Sequence, residues 1–194
     1  DLDSRVFIVT GATGTLGKEC AKVLRKRGCA LVFASRDVEK ARRVVEEMET
    51  EDGGDEEEDE DDDEEEDEDD DGETTKTEKR GPEEKKHKKK VKTKEVIILK
   101  CDLSSVHSVK SFCREFQKLA LPLHGILCLA GVVMHPFALT KPDGVETHFA
   151  INHLSHYAMV SFLGDELTRT AAVSGNDGRV VLISSNAHHW SYRL

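Results

Sequence analysis

Apolar and polar positions along this chain alternate between two periods. Short β-branched and apolar runs, "RVFIVT" (5–10), "CALVFA" (29–34), "EVIILKC" (95–101), "GILCLAG" (125–131) and "RVVLIS" (179–184), predict five strands. Between them, apolar residues recur every three or four positions, which marks one face of a helix. The sets are Leu16, Cys20 and Leu24; Val38, Ala41, Val45 and Met48; Val106, Val109, Phe112, Phe116 and Leu119; and Ala150, Leu154, Ala158 and Phe162. This β-α-β-α-β-α-β-α-β order predicts an α/β fold, a doubly wound parallel sheet with helices on both faces. Ligands of such sheets sit outside the carboxyl ends of the strands.

One stretch breaks the pattern. Residues 51–73 hold 20 acidic side chains and no basic one, and 74–94 hold 10 Lys or Arg against 3 Glu. The segment 51–94 therefore carries −13 of the net −11, which leaves +2 for everything else. Like-charge blocks with almost nothing apolar to bury do not recover the entropy lost on ordering. We expect one domain over 1–194, ordered at 1–50 and 95–194, with 51–94 a disordered, low-complexity acidic and basic loop. Placed between the second helix and the third strand, its length adds only a logarithmic closure term. Three roles are open to it: a solvated loop whose halves attract each other, a nuclear-import signal in its lysines, or a tail that recruits a basic partner.

Cys20, Cys29, Cys101, Cys113 and Cys128 lie in apolar stretches without metal-ligand or CxxC spacing, so reduced thiols of an intracellular protein are expected. No apolar run reaches the ~20 residues that cross a bilayer, and no stretch is expected to act as a signal peptide. The chain starts at Asp1 without a methionine, so an anchor outside it is compatible with this reading. That leaves cytoplasmic residence and association with the endoplasmic-reticulum or mitochondrial membrane both open. No nucleic-acid partner is expected.

Candidate chemistry begins directly after the first strand, at "TGATGTLGKE". Glycines at 11, 14 and 17 suit a tight turn, close approach of a pyrophosphate to the backbone, and helix–strand packing, while the helix N-terminus supplies amide donors. Thr10, Gly11, Thr13, Gly14, Thr15, Leu16 and Gly17 are the candidate phosphate-binding residues.

With "CDLSS" (101–105), "CLAGV" (128–132), "INHLSHY" (151–157) and "VLISSNAHH" (181–189) following in order, the chain resembles the short-chain dehydrogenase/reductase family. Within it, "DGVETHFAINHLSHY" and "RVVLISSNAHH" are most similar to the branch of the retinol dehydrogenases and the WW-domain-containing oxidoreductase. The resemblance covers 1–50 and 95–194. It implies a Rossmann sheet, with Asp102 and Leu103 at the adenine ring and Ala130 and Gly131 along the cofactor. It also implies hydride transfer between a nicotinamide and a carbonyl or alcohol carbon. Ser185 would polarise the substrate oxygen, and Asn152 would hold a water of the proton relay. Ser184 matches less well. A plainer role for Asn152, bonding to neighbouring backbone, is compatible with the catalytic one.

Two positions depart from the family pattern. Thr15 stands where the family has glycine, so its Cβ is expected to crowd the pyrophosphate. Leu129 replaces the second Asn of the family's Asn-Asn-Ala-Gly, which removes a polar contact that ties neighbouring strands.

Cofactor choice is read at "FASRD". An acidic residue there would bond the ribose hydroxyls of NAD; Ser35 and Arg36 come instead, and a guanidinium clasps the extra phosphate of NADP. NADP(H) is favoured, with NAD the other option if Arg36 is a solvated charge and Asp37 a helix cap. His153 and His156, and His188 and His189, lack carboxylate or thiolate partners at ligand spacing, so no metal is expected.

The family's Tyr-x-x-x-Lys is not reached. Tyr192 is seven residues past Ser185 with no Lys after it, and a phenol without a nearby cation is a poor acid–base group at neutral pH. The chain is therefore expected to be C-terminally truncated and inactive as it stands. Its leading reading is the front part of an NADP(H)-dependent reductase of lipophilic, retinoid- or steroid-like carbonyls or alcohols. The others are an inactive cofactor-binding module whose insert recruits a partner, and a scaffold without cofactor. A homodimer and a membrane contact through an absent segment are both compatible with the resemblance.

Overall fold

The computed structural model describes residues 2–52, 95–133, 136–141 and 143–186. Among them, β1 (Val6–Thr10), β2 (Ala30–Ser35), β3 (Val96–Lys100), β4 (Gly125–Cys128) and β5 (Arg179–Leu182) form one sheet in the order β3-β2-β1-β4-β5. Every neighbouring pair is parallel. The connections are α1 (Thr15–Lys26), α2 (Val38–Asp52), α3 (Val106–Lys118) and α4 (Ser155–Ser174), with a π-helical turn at Phe149–Leu154 leading into α4. The expected doubly wound α/β fold is the observed one.

Strands buried on both faces read as unbroken apolar runs, and β1 shows how both faces are used. Val6 and Ile8 join Phe112, Phe116, Met159 and Leu163 in the core under α3 and α4. Phe7 and Val9 point the other way, into the core under α1 and α2 with Ala21, Phe33 and Met48. The residues of β5, at the edge of the sheet, are all exposed.

Three expectations need correction. The buried stripe of helix α1 is Gly17, Ala21 and Arg25 rather than Leu16, Cys20 and Leu24; Leu24 packs half-buried at the edge of the core, and Leu16 is 50% exposed. The helix starts so close to the turn before it that a Cβ on Gly17 would collide with Gly11 O, so the inner stripe must begin with glycine. Strand β4 stops at Cys128 instead of continuing to 131, because Thr10 captures the amides of Leu129 and Ala130. In the last helix, the π-turn adds residues to one turn and shifts the buried face. Ala150 is followed by Ser155, Met159 and Leu163 inside, not by Leu154, Ala158 and Phe162 in line, although Ala158 is also buried.

Helix α2 runs to Asp52, and of the segment 51–94 read above as a disordered charged loop, residues 53–94 lie outside the described residues. The acidic end of α2 lies on the basic face of α1. Lys18 pairs with Glu47, Lys22 with Glu51 at 2.8 Å, and Arg25 with Glu49 at 3.9 Å. The two lysine pairs face solvent, which screens them, so they add little to stability.

All five cysteines are free thiols. Burial pushes Cys101 and Cys113 up to about 12, and Cys29 and Cys128 up to about 11, so these four stay protonated and unreactive at neutral pH. Among the described residues, no helix is long and apolar enough to cross a membrane.

Candidate functional site

Thr10, the last residue of β1, is level with Ala34 in β2 and Cys128 in β4, so three strands release their chains at one height. The strand order reverses at β1, and a crevice opens at such a point because successive connections leave to opposite faces. A cleft of about 310 Å³ lies there, lined by residues 11–14, 34–36, 101–104, 129–132 and Ile151.

Its floor is the turn into α1. Gly11 has φ +70°, and a Cβ on it would stand 2.8 Å from both Cα and N of Ala130, so this position requires glycine twice over. Gly14 donates to Gly11 O at 2.9 Å and is the N-cap of α1. No side chain caps this helix, and no acidic residue occupies its first turn. The first-turn amides and the positive end of the helix dipole are thus left for an anion.

Polar groups ring the rest. Asp102 Oδ1 accepts from Ser104 N at 2.9 Å and Ser104 Oγ at 2.8 Å, while the Asp102 amide donates to Ser108 Oγ. This fixes the carboxylate at the cleft wall. Ser35 Oγ donates to Asp37 O, and Asp37 Oδ1 accepts from Lys40 N, so Asp37 caps α2 and Arg36 is left exposed at the cleft mouth.

Of the expected cofactor residues, Gly11, Thr13, Gly14, Ser35, Arg36, Asp102, Leu103, Ala130 and Gly131 line this one cleft. Four do not. Thr10 is fully buried and works as a stitch: Oγ1 accepts from Leu129 N at 3.0 Å and Ala130 N at 3.1 Å. Gly17 is the packing contact to the turn, and Leu16 is on the outer face of α1. Thr15 is exposed and outside the cleft lining, so its Cβ does not crowd the floor, which Gly11 and Gly14 line instead. Leu129 does not leave the strands untied either, because the Thr10 stitch joins them.

Asn152 sits in the π-turn with both ends of its amide engaged by one residue. Oδ1 accepts from Val132 N at 2.8 Å, and Nδ2 donates to Val132 O at 3.0 Å. The plainer role holds for its side chain. Ser185 is exposed just beyond β5 and is not among the cleft-lining residues. Tyr192, His188 and His189 lie outside the described residues.

Sequence reasoning passed over several wall residues, namely Ala34, Cys101, Ser104, Val132 and Ile151. Their only signal was position, just past strand ends or beside a motif. It also treated His156 solely as a weak metal candidate. In the fold, His156 is 2% exposed, with Nε2 3.0 Å from Thr10 Oγ1 and Nδ1 3.2 Å from Asn152 O.

Comparison with known proteins agrees with this geometry. The KR domain family model matches residues 6–150. Human retinol dehydrogenase 11 is 31% identical over 188 residues, covering 97% of this chain and 45% of that protein. Human polyprenol dehydrogenase is 30% identical over 185 residues, covering 95% and 44%. This chain spans about half the length of the curated relatives it matches. A metagenomic short-chain oxidoreductase solved in complex with NADP superposes with a TM-score of 0.62 at 21% identity, covering 96% of this chain and 63% of that one. With a family model matching most of its length and relatives above 30% identity across it, this chain belongs to the short-chain dehydrogenase/reductase family.

Proposed function

We propose that this chain is the cofactor-binding part of an NADP(H)-dependent oxidoreductase of lipophilic carbonyls or alcohols. The observation that carries the reading is the cleft itself, where an uncapped, acid-free helix N-terminus, a glycine floor and a fixed carboxylate converge at the switch point of the sheet. These residues suit a dinucleotide. The amides of α1 would hold the pyrophosphate, and Asp102 would accept from the adenine amino group. Ala130 and Gly131 would flank the path toward the nicotinamide, and Arg36 would clasp the 2′-phosphate. Hydride exchange with a substrate carbon is the chemistry such a nucleotide supplies. In this reading Ser185 polarises the substrate oxygen, and Asn152 shapes the wall of the site through Val132.

Support for a lipophilic substrate comes from the retinol and polyprenol dehydrogenases that the chain resembles. Free, buried thiols suit an intracellular protein, with membrane contact or a homodimer proposed for the assembled enzyme. Titration of the chain with NADPH and with NADH, followed by nucleotide fluorescence, tests the cofactor reading. Saturable binding with NADPH preferred supports it, and absence of saturation with either overturns it. Supplying the chain within a full-length enzyme and assaying retinal or polyprenal reduction tests the activity. Binding without turnover would reduce the reading to a cofactor-binding module.

A further inference from the structure

Thr10 and His156 are 146 residues apart in the chain and meet in the interior. Thr10 Oγ1 already accepts two amide hydrogens, from Leu129 and Ala130, so what it has left to give is its own hydrogen. Leu127 O is 3.4 Å away and His156 Nε2 is 3.0 Å away, and the shorter contact is to the imidazole. On the other side of the ring, Nδ1 faces Asn152 O at 3.2 Å, and a carbonyl can only accept. Donors and acceptors balance for one form alone, the neutral imidazole with its hydrogen on Nδ1.

The circuit then closes. From Thr10 the bonds run to the amides of Leu129 and Ala130, along the chain to Val132, across to the Asn152 side chain, and from the Asn152 carbonyl through His156 back to Thr10. It encloses residues 129–132, which form one wall of the cleft. A histidine that merely filled space would leave one or both ring nitrogens buried without a partner, at the full desolvation cost. Here both are used, and both lead to the same wall.

We propose that His156 is a positioning residue, which sets the place of the 129–132 wall through Thr10 on one side and Asn152 on the other. The consequence for nucleotide affinity rests on the function proposed above; the circuit itself does not.

Three variants of the full chain separate the two arms. His156→Gln puts an amide near the Nε2 position and retains the Thr10 arm, His156→Asn puts one near Nδ1 and retains the Asn152 arm, and His156→Leu removes both. Site-resolved amide hydrogen exchange is the first readout. Faster exchange at Val132 is expected in the Gln variant, faster exchange at Leu129 and Ala130 in the Asn variant, and both in the Leu variant. Each change should be on the order of tenfold, the size of one weakened buried hydrogen bond, with Val32 and Phe33 of β2 unchanged. NADPH affinity should fall in the same order, most in the Leu variant. Histidine ¹⁵N shifts should show the Nδ1–H tautomer in the wild type. Unchanged exchange at 129–132, or a uniform rise across every strand in all three variants, would overturn the proposal. If the Leu variant does not fold, the arm-specific split between Gln and Asn decides. If the wild type binds no nucleotide, the functional reading fails while the exchange pattern still judges the circuit.

Discussion

Val6 and His124 bond reciprocally: the His124 amide donates to Val6 O at 2.9 Å, and the Val6 amide donates to His124 Nδ1 at 3.0 Å. An imidazole thus takes the acceptor place of a carbonyl at the foot of the sheet, between β1 and β4. Only neutral histidine can accept there.

Acid should therefore weaken the fold before carboxylates matter. Burial, and then the Arg5 charge, hold His124 below the usual histidine value, and burial chiefly does the same for His156. A lowered folded value means stability is fully present above the unfolded value near 6.5 and is lost as pH falls through the folded one. Urea unfolding at pH 7.5 and at pH 5 should show a lower midpoint in acid for the wild type. His124→Gln, which cannot gain a charge, should show a smaller drop; an equal drop would remove His124 from the account.

Gly17→Ala should destabilise and also damage the cleft. The new Cβ would collide with Gly11 O and come within 2.7 Å of Gly11 C and 2.9 Å of Ala12 Cα, all backbone atoms that cannot turn aside. Helix α1 must move away, at about 1–3 kcal/mol for overpacking. A lower urea midpoint with weaker NADPH binding is the expected pair of results, and an unchanged midpoint would show that α1 is loosely held.

Arg36 tests the choice of nucleotide. Replacing it by Leu should weaken NADPH binding by roughly tenfold to a hundredfold, the range of a charge-assisted contact to a buried or partly buried phosphate. NADH affinity should hardly change. Parallel titrations of both nucleotides measure this, and equal losses for both would show that Arg36 does not read the 2′-phosphate.

Glu146 secures the approach to the π-turn. Its carboxylate accepts from the amides of His148 and Phe149 and from His148 Nδ1, and those bonds hold it down at about 2. A lowered acid value means its contribution is complete above the ordinary value near 4.5 and fades as pH falls toward 2. Glu146→Ala should speed amide exchange at His148 and Phe149 at neutral pH, and the difference from wild type should vanish at the acid end.

Much of the site was legible in the chain because its signals are local. The turn at 11–17 reads as a phosphate cradle from glycine spacing after a strand, and Gly11 and Gly14 of that turn line the cleft. The wall residues 130 and 131 and the rim at 35 and 36 follow from standing just past strand ends. Local signals also misled. A helix period counted as 150, 154, 158 and 162 cannot reveal a π-turn, which shifts the inner face to 155, 159 and 163. Nor can a threonine in a glycine-rich turn announce that its hydroxyl faces strand β4 rather than a phosphate.

The sequence by itself determined the order of strands and helices, the parallel sheet that this order requires, the glycine turn and the family. These depend on residue spacing and on the backbone freedom of single residues, which neighbours in the chain already define. Tertiary structure alone decided which stripe of α1 and α4 is buried, what the Asn152 amide holds, and that Thr10, His124 and His156 join strands and helix more than a hundred residues apart. A hydrogen bond requires two groups within about 3 Å, and only the folded sheet brings those partners to that distance.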